Sequence, residues 1–209
     1  MSYYIKIERI IKMEEKNYHH GDLKKQMILK GLELLNEKGI DGFSLRKIAS
    51  MCNVSHTAPY KHFKDKDHLI KEIYTYVINE FDNSIINSLD NTLNPIDLMV
   101  EIGKGYVRFM VDNPNYLKFL MINNHLFSAK LENEDIVNSN SSAFNIFKDN
   151  AIKMFEYLKI PKEEYTINII TMWSIVQGMS SLIANKNIVT DCDYESIIEN
   201  ILKNKLKFD

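Results

Sequence analysis

Glycine and proline are scarce in this chain. It has 7 Gly and 4 Pro in 209 residues, where average usage, roughly 7% Gly and 5% Pro, gives about 25. The shortage excludes collagen-like, linker-rich and low-complexity readings. It also disfavours an all-β fold, whose tight turns need both residues. Cysteine is scarce too: Cys52 and Cys192 lie far apart, which gives no disulfide scaffold and no metal-ligand spacing. They read as two free thiols in a reducing cytosol. No run approaches the ~18 uninterrupted apolar residues of a membrane span. Met1 to Lys16 alternates charged residues with Ile and Tyr and lacks the apolar core of a signal peptide. The chain therefore reads as soluble and cytoplasmic. Excess charge of one sign is also missing. A formal net charge of −2 argues, taken whole, against a nucleic-acid binder.

What is present is helical pattern. Hydrophobic residues make up 45% of the chain, which excludes wholesale disorder. The length suits one globular domain or two small ones sharing a boundary helix. Ile28, Gly31, Leu32 and Leu35 fall on one helical face, with Asp22 placed to cap the start and Gly39 marking the end. Leu45, Ile48, Ala49 and Cys52 repeat the spacing behind a cap at Ser44. Only Asn53 and Val54 separate them from a second cap, Ser55, which opens a short helix to about His62. Asp65 opens a long helix carrying Ile70, Ile73, Tyr74, Val77 and Phe81. Asn94–Pro95 is a cap followed by Pro at the first helical position; that helix stops near Asn113–Pro114. Pro114 to Leu126 and Ala143 to Leu158 read as helices. A long apolar helix starts at Pro161 and ends near Lys186. The last helix runs from about Asp193 to Leu206. Ser128 to Ser142 reads as a loop, and no strand pair carries a hairpin signal. The fold class expected is all-α, with about nine helices.

Two short helices joined by a tight turn, Ser44–Met51 and Ser55–His62, have helix-turn-helix proportions. Ala49 is small enough for close approach, and Val54 can plug the turn. Ile48, Tyr60 and Phe63 can pin the pair to its flanking helices. Asn53 sits where the turn needs a left-handed residue, which Asn tolerates. His56, Thr57 and Ala58 are small or polar and can enter a major groove. On spacing alone, an ordinary helical hairpin fits equally well.

The stretch Ser44-Leu-Arg-Lys-Ile-Ala-Ser-Met-Cys-Asn-Val-Ser-His-Thr-Ala-Pro-Tyr-Lys-His-Phe63, followed by Lys-Asp-Lys-Asp-His-Leu69, resembles the DNA-binding domain of the tetracycline-repressor-like (TetR/AcrR) transcriptional regulators. The preceding Tyr18-His-His-Gly-Asp-Leu23 recurs in some of them. The resemblance covers about residues 18 to 75, with Asn53 where Gly is usual. Trp173-Ser-Ile-Val-Gln-Gly178 resembles the Trp-His-Gly stretch of one subgroup's C-terminal region, with Gln177 in place of His.

The resemblance implies an all-α homodimer: an N-terminal extension (1–17), a helix-turn-helix domain (18–64) and a helical ligand-binding and dimerisation domain (65–209). It implies that the last two long helices build the dimer interface. It also implies a function as a ligand-responsive regulator, most simply a repressor that a small molecule releases from a palindromic operator in double-stranded DNA. Tyr60 and Lys66 match phosphate-contacting positions, and His62 a position near the backbone or a base edge. Ser44 would offer its hydroxyl or its helix's amides to a phosphate. His56, Thr57 and Ala58 match base-facing positions, and Arg46 and Ser55 complete the DNA-binding set. The chemistry agrees for Lys66, because a phosphate at a helix start is favoured by both amides and ammonium. A solvated surface lysine is the plainer reading there, and a core ring with a wet hydroxyl the plainer one for Tyr60.

Charge by region now separates. Residues 1–75 hold 14 Lys+Arg and 10 Asp+Glu, net +4; residues 76–209 hold 12 and 18, net −6, summing to −2. A basic end on an acidic body suits docking of one end on DNA. The body is rich in aromatic and Met residues. Most are packing; a minority can line a pocket for a small apolar or aromatic effector, with Tyr106, Phe109, Met110, Trp173 and Gln177 the candidates. Ser174, Gly178, Ser180 and Ser181 form a small-residue surface that suits either a dimer seam or the chain's own core.

The rival classes have less support. A helical-scaffold enzyme lacks a Gly-x-Ser-x-Gly, a phosphate loop or a His-Glu-x-x-His. A metal-sensing regulator would use His19 and His20, but no His-x3-His pair with nearby ligands supports a site. No enzyme activity, cofactor, metal or membrane partner is expected.

Overall fold

The computed structural model describes residues 23–122, 129–132, 135–137, 141–189 and 193–204. The N-terminal extension, the expected cap Asp22, His19, His20, Cys192 and the end of the last helix lie outside the described residues. Among those described there are eight α-helices: α1 (23–42), α2 (Leu45–Met51), α3 (Lys66–Asn87), α4 (Pro95–Asp112), α5 (Pro114–Ile122), α6 (Ser142–Leu158), α7 (Tyr165–Ala184) and α8 (Tyr194–Asn204). Short 3-10 turns occupy Pro59–Lys61 and Lys162–Glu164. The chain is all-α with an N-terminal helix-turn-helix unit. It divides into two compact units, one ending at Tyr76 and the other starting at Val77.

The first unit is a small three-element core. Met27, Leu32, Leu35, Phe43, Leu45, Ile48, Phe63 and Leu69 are buried in it. Gly31 is where two helices meet: a Cβ there would lie 2.7 Å from Ile73 Cδ1 of α3, so no larger residue fits without a shift. Gly39 takes φ +66, yet the helix continues to residue 42, three residues past the expected end. The open carbonyls of that last turn are met by lysines. Lys66 Nζ donates to Ile40 O at 2.6 Å, and Lys47 Nζ to Gly42 O at 2.9 Å, which satisfies acceptors that a helix C-terminus leaves free.

The second unit is built around α4, which buries ten of its residues and packs against α5, α6, α7 and α8. Asn94 caps it through Ile96 N and Asp97 N, with Pro95 at the first position. Ion pairs tie α4 to α8. Arg108 clasps Glu195 through two bonds, Nε to Oε1 at 2.6 Å and Nη2 to Oε2 at 2.7 Å. Lys203 pairs with Asp97 at 3.0 Å, and Lys104 with Glu199 at 3.4 Å. The start of α6 is held from α3: the Asp82 carboxylate accepts from Ser142 N at 3.0 Å, Ala143 N at 2.9 Å and Ser141 Oγ at 3.1 Å.

The expected loop at 128–142 contains a hairpin. Lys130–Glu132 pairs antiparallel with Asp135–Val137. Three-residue strands are too short to show alternation; Lys148 on α6 fixes the second one by donating to Asp135 Oδ2 at 2.7 Å and Ile136 O at 2.9 Å. The apolar helix begins with the 3-10 turn Lys162–Glu164 and ends at Ala184. By length and composition alone, Lys162–Ala184 could cross a membrane. Thr166, Asn168, Thr171, Ser174 and Gln177 interrupt its apolar run, and its buried stripe Ile169, Met172, Val176 and Ser180 faces inward.

Candidate nucleic-acid interface and ligand cavity

Ser44 caps α2 as expected, accepting from Lys47 N at 3.3 Å. Cys52, half-buried, ends the helix, and burial pushes its thiol pKa up. Asn53 follows at φ 54, the left-handed geometry anticipated for this turn. Val54 N then returns to Ala49 O at 3.0 Å, and Ala49 is fully buried.

The expected second helix, Ser55–His62, is a succession of tighter turns. Ala58 N donates to Ser55 O at 2.9 Å, Lys61 N to Ala58 O at 3.1 Å and His62 N to Pro59 O at 2.9 Å. Pro59 has no N–H, so the Ser55 carbonyl cannot receive the i→i+4 bond and takes the i→i+3 donor instead. Ser55 does not cap a helix; its hydroxyl lies 3.1 Å from that of Thr57. Asp65 caps α3 through His68 N at 2.8 Å.

The candidate DNA-contacting residues fall on this surface. Arg46, Ser55, His56 and Thr57 are exposed, while Ser44, Ala58, His62 and Lys66 are half-buried. Tyr60 is 57% exposed, so it is neither a core ring nor a pin between helices; Ile48 and Phe63 alone do that work. Lys66 is fastened to the end of α1 by its bond to Ile40 O and is not a free surface lysine. Lys47 is exposed beside Arg46, with its Nζ held on the Gly42 carbonyl.

The second unit holds an apolar pocket that opens to solvent. Phe81 and Ile85 of α3, with Met99, Ile102, Gly103 and Tyr106 of α4, form one side. Ala143, Phe144 and Phe147 of α6, Met172, Trp173 and Val176 of α7, and Leu202 of α8 form the rest. Of the five candidates, Tyr106 and Trp173 line it. Phe109 lies outside the lining and meets Phe81 at 5.3 Å and Tyr116 at 5.8 Å, both at a tilt. Met110 is buried away from the lining. Gln177 also stands outside the lining and is joined to it by a hydrogen bond, its Oε1 accepting from the Tyr106 hydroxyl. Trp173 meets Phe144 edge-on at 5.4 Å. Burial pushes the Tyr106 phenol pKa up, so it stays neutral. Among the described residues, no group of three or more His, Cys, Asp or Glu is placed to hold a metal.

The described residues thus hold an exposed helix-turn-helix surface in the first unit and an apolar cavity in the second. Residues 28–73 match the family model described as "Bacterial regulatory proteins, tetR family". The whole fold is similar to a TetR-family transcriptional regulator from Haemophilus influenzae, at 22% identity and TM-score 0.64, covering 88% of this chain and 96% of that one. It is also similar to a TetR-like transcriptional regulator from Rhodococcus sp. RHA1 (13% identity, TM-score 0.63, 88% and 95% covered). A third similar structure is AibR in complex with isovaleryl coenzyme A and operator DNA (13% identity, TM-score 0.61, 85% and 94% covered). Among curated proteins, none matches by sequence.

Proposed function

We propose that this protein is a ligand-responsive, DNA-binding transcriptional repressor, acting as a cytoplasmic homodimer that a small molecule releases from a palindromic operator. The observation that carries the reading is the coincidence of the family match over residues 28–73 with an outward-facing helix-turn-helix surface. Residues 18–64 read DNA, and residues 65–209 bind the effector and dimerise. Ser44, Tyr60 and Lys66 hold phosphates; Arg46, Ser55 and His62 lie along the backbone; His56, Thr57 and Ala58 face the bases. The similar structure bound to isovaleryl coenzyme A and operator DNA supports a fold that takes an effector and DNA.

Dimerisation uses α7 and α8. Ser174 and Gly178 are exposed, and a Cβ on Gly178 would meet nothing within 4 Å. Ile167 is 60% and Leu182 40% exposed on the same helix. These support a seam; Ser180, fully buried, belongs to the core. The Trp-His-Gly likeness supports an effector subsite at Trp173, with Gln177 behind it on the Tyr106 hydroxyl. Effector binding stabilises a dimer whose paired recognition segments no longer match successive major grooves, roughly 34–36 Å apart.

The test is selection of the full chain on random duplex DNA, followed by salt titrations. A palindromic motif is expected. Lys66→Ala weakens binding to every sequence and lowers the salt slope by about one. Thr57→Ala changes base preference at a cost of about 1–3 kcal/mol at the affected position. Recovery of no motif, with binding indifferent to salt, would refute the proposal.

A further inference from the structure

We infer that the cavity takes a small uncharged lipophile bearing one neutral oxygen, seated on the Tyr106 hydroxyl. This rests on the regulator reading and specifies its effector. Among the described residues, Tyr106 is the sole ionisable group in the lining, and it is buried. Among the described residues, the cations beside the lining along the chain are already engaged: Lys104 with Glu101 at 2.8 Å and Glu199, Arg108 with Glu195, Lys148 with Asp135 and Lys203 with Asp97 and Glu199. A carboxylate entering here loses its water and gains no counter-charge. Phe81, Phe144, Met172 and Trp173 offer only apolar contact, so affinity for the body of the ligand comes from desolvation.

One polar feature gives the cavity direction. Tyr106 lines the cavity, and its hydroxyl donates its proton to Gln177 Oε1. A phenolic oxygen that donates its proton keeps its lone pairs as acceptors. A ligand alcohol donates to it without disturbing that bond. A purely apolar ligand leaves that capacity unused, and an anion meets the lone pairs with repulsion.

The chain contains a single Trp, Trp173, and it forms part of the wall. Its fluorescence therefore reports occupancy without a label. Octan-1-ol and octanoate, matched in chain length and different in charge, are titrated into the full protein at pH 7. Saturable quenching by octan-1-ol is expected, at least about tenfold tighter than by octanoate. Tyr106→Phe should weaken octan-1-ol by about two- to tenfold, the range of one net hydrogen bond. The alcohol–acid comparison uses the unaltered protein and stands whether or not the variant folds. Octanoate binding as tightly as the alcohol, or neither binding, overturns the inference. Octanoyl-coenzyme A binding far more tightly than octan-1-ol overturns it too, because recognition would then lie in a charged head. Salt-dependent duplex-DNA binding, measured on the same preparation, tests the regulator reading separately. DNA binding without a preference for the alcohol refutes the ligand class alone; the preference without DNA binding refutes the regulator alone.

Discussion

In the unit ending at Tyr76, the polar side chains of interest face solvent: Arg46, His56, Thr57 and Tyr60 are exposed. In the unit starting at Val77, they are enclosed: Tyr106 is buried and its hydroxyl donates to Gln177. The two units also differ in charge, the first 75 residues carrying +4 and the remainder −6. A surface that reads a polymer of fixed repeat must hold given residue types at given spacings. A cavity needs only shape and low polarity, which many residue combinations supply. The outward-facing unit therefore leaves a motif in the chain, and the inward-facing one leaves only composition.

The sharpest way to break that contrast is to damage one unit and watch the other. Phe63 is almost fully buried in the first unit. Phe63→Ala should cost about 3–5 kcal/mol there and abolish DNA binding, while Trp173 fluorescence keeps its native position. Simultaneous loss of both signals in a urea titration would show that the units do not act separately.

A smaller effect is expected in assembly. Leu182→Glu places a charge on the exposed face of α7. It should weaken self-association at least about tenfold, or roughly 1.4 kcal/mol, with helicity unchanged. Sedimentation of the variant as an intact dimer would move the interface elsewhere.

The smallest effect concerns acid. Arg108 holds the Glu195 carboxyl below its ordinary pKa. Its contribution to stability is present above the unfolded value, about 4.3, and is lost as pH falls through the depressed folded value. Glu195→Gln should cost less than about 1 kcal/mol at pH 7, since the pair is partly exposed. It should also flatten the acid limb of the melting profile. An unaltered acid limb would mean that the pair does not couple α4 to α8.

Legibility followed the same division. Asn53, Ser44 and Asn94–Pro95 were readable because caps and left-handed turns depend on the residue itself and its immediate neighbours. The second helix of the pair was expected from the cap at Ser55, although Pro59 carried the opposing signal: it has no N–H to give the Ser55 carbonyl, which takes Ala58 N instead. Tyr60 looked equally suited to core and surface, since an aromatic ring satisfies both until its neighbours are known. The 130–137 hairpin was hidden because its anchor, Lys148, lies on a later helix. The cavity was half visible. Trp173 and Gln177, four residues apart on one helix, pointed to it. Phe81, Phe147 and Leu202 come from three separate helices, and only folding brings them to one wall.

Asp82 has a consequence for measurement. Its carboxylate accepts the backbone hydrogens of Ser142 and Ala143, and Ala143 is itself part of the cavity wall. Those two amide protons can exchange with solvent deuterium only when α3 lets go of α6. Their exchange rates therefore time the detachment of one cavity wall directly, and a ligand that seats in the cavity without slowing them leaves that attachment untouched.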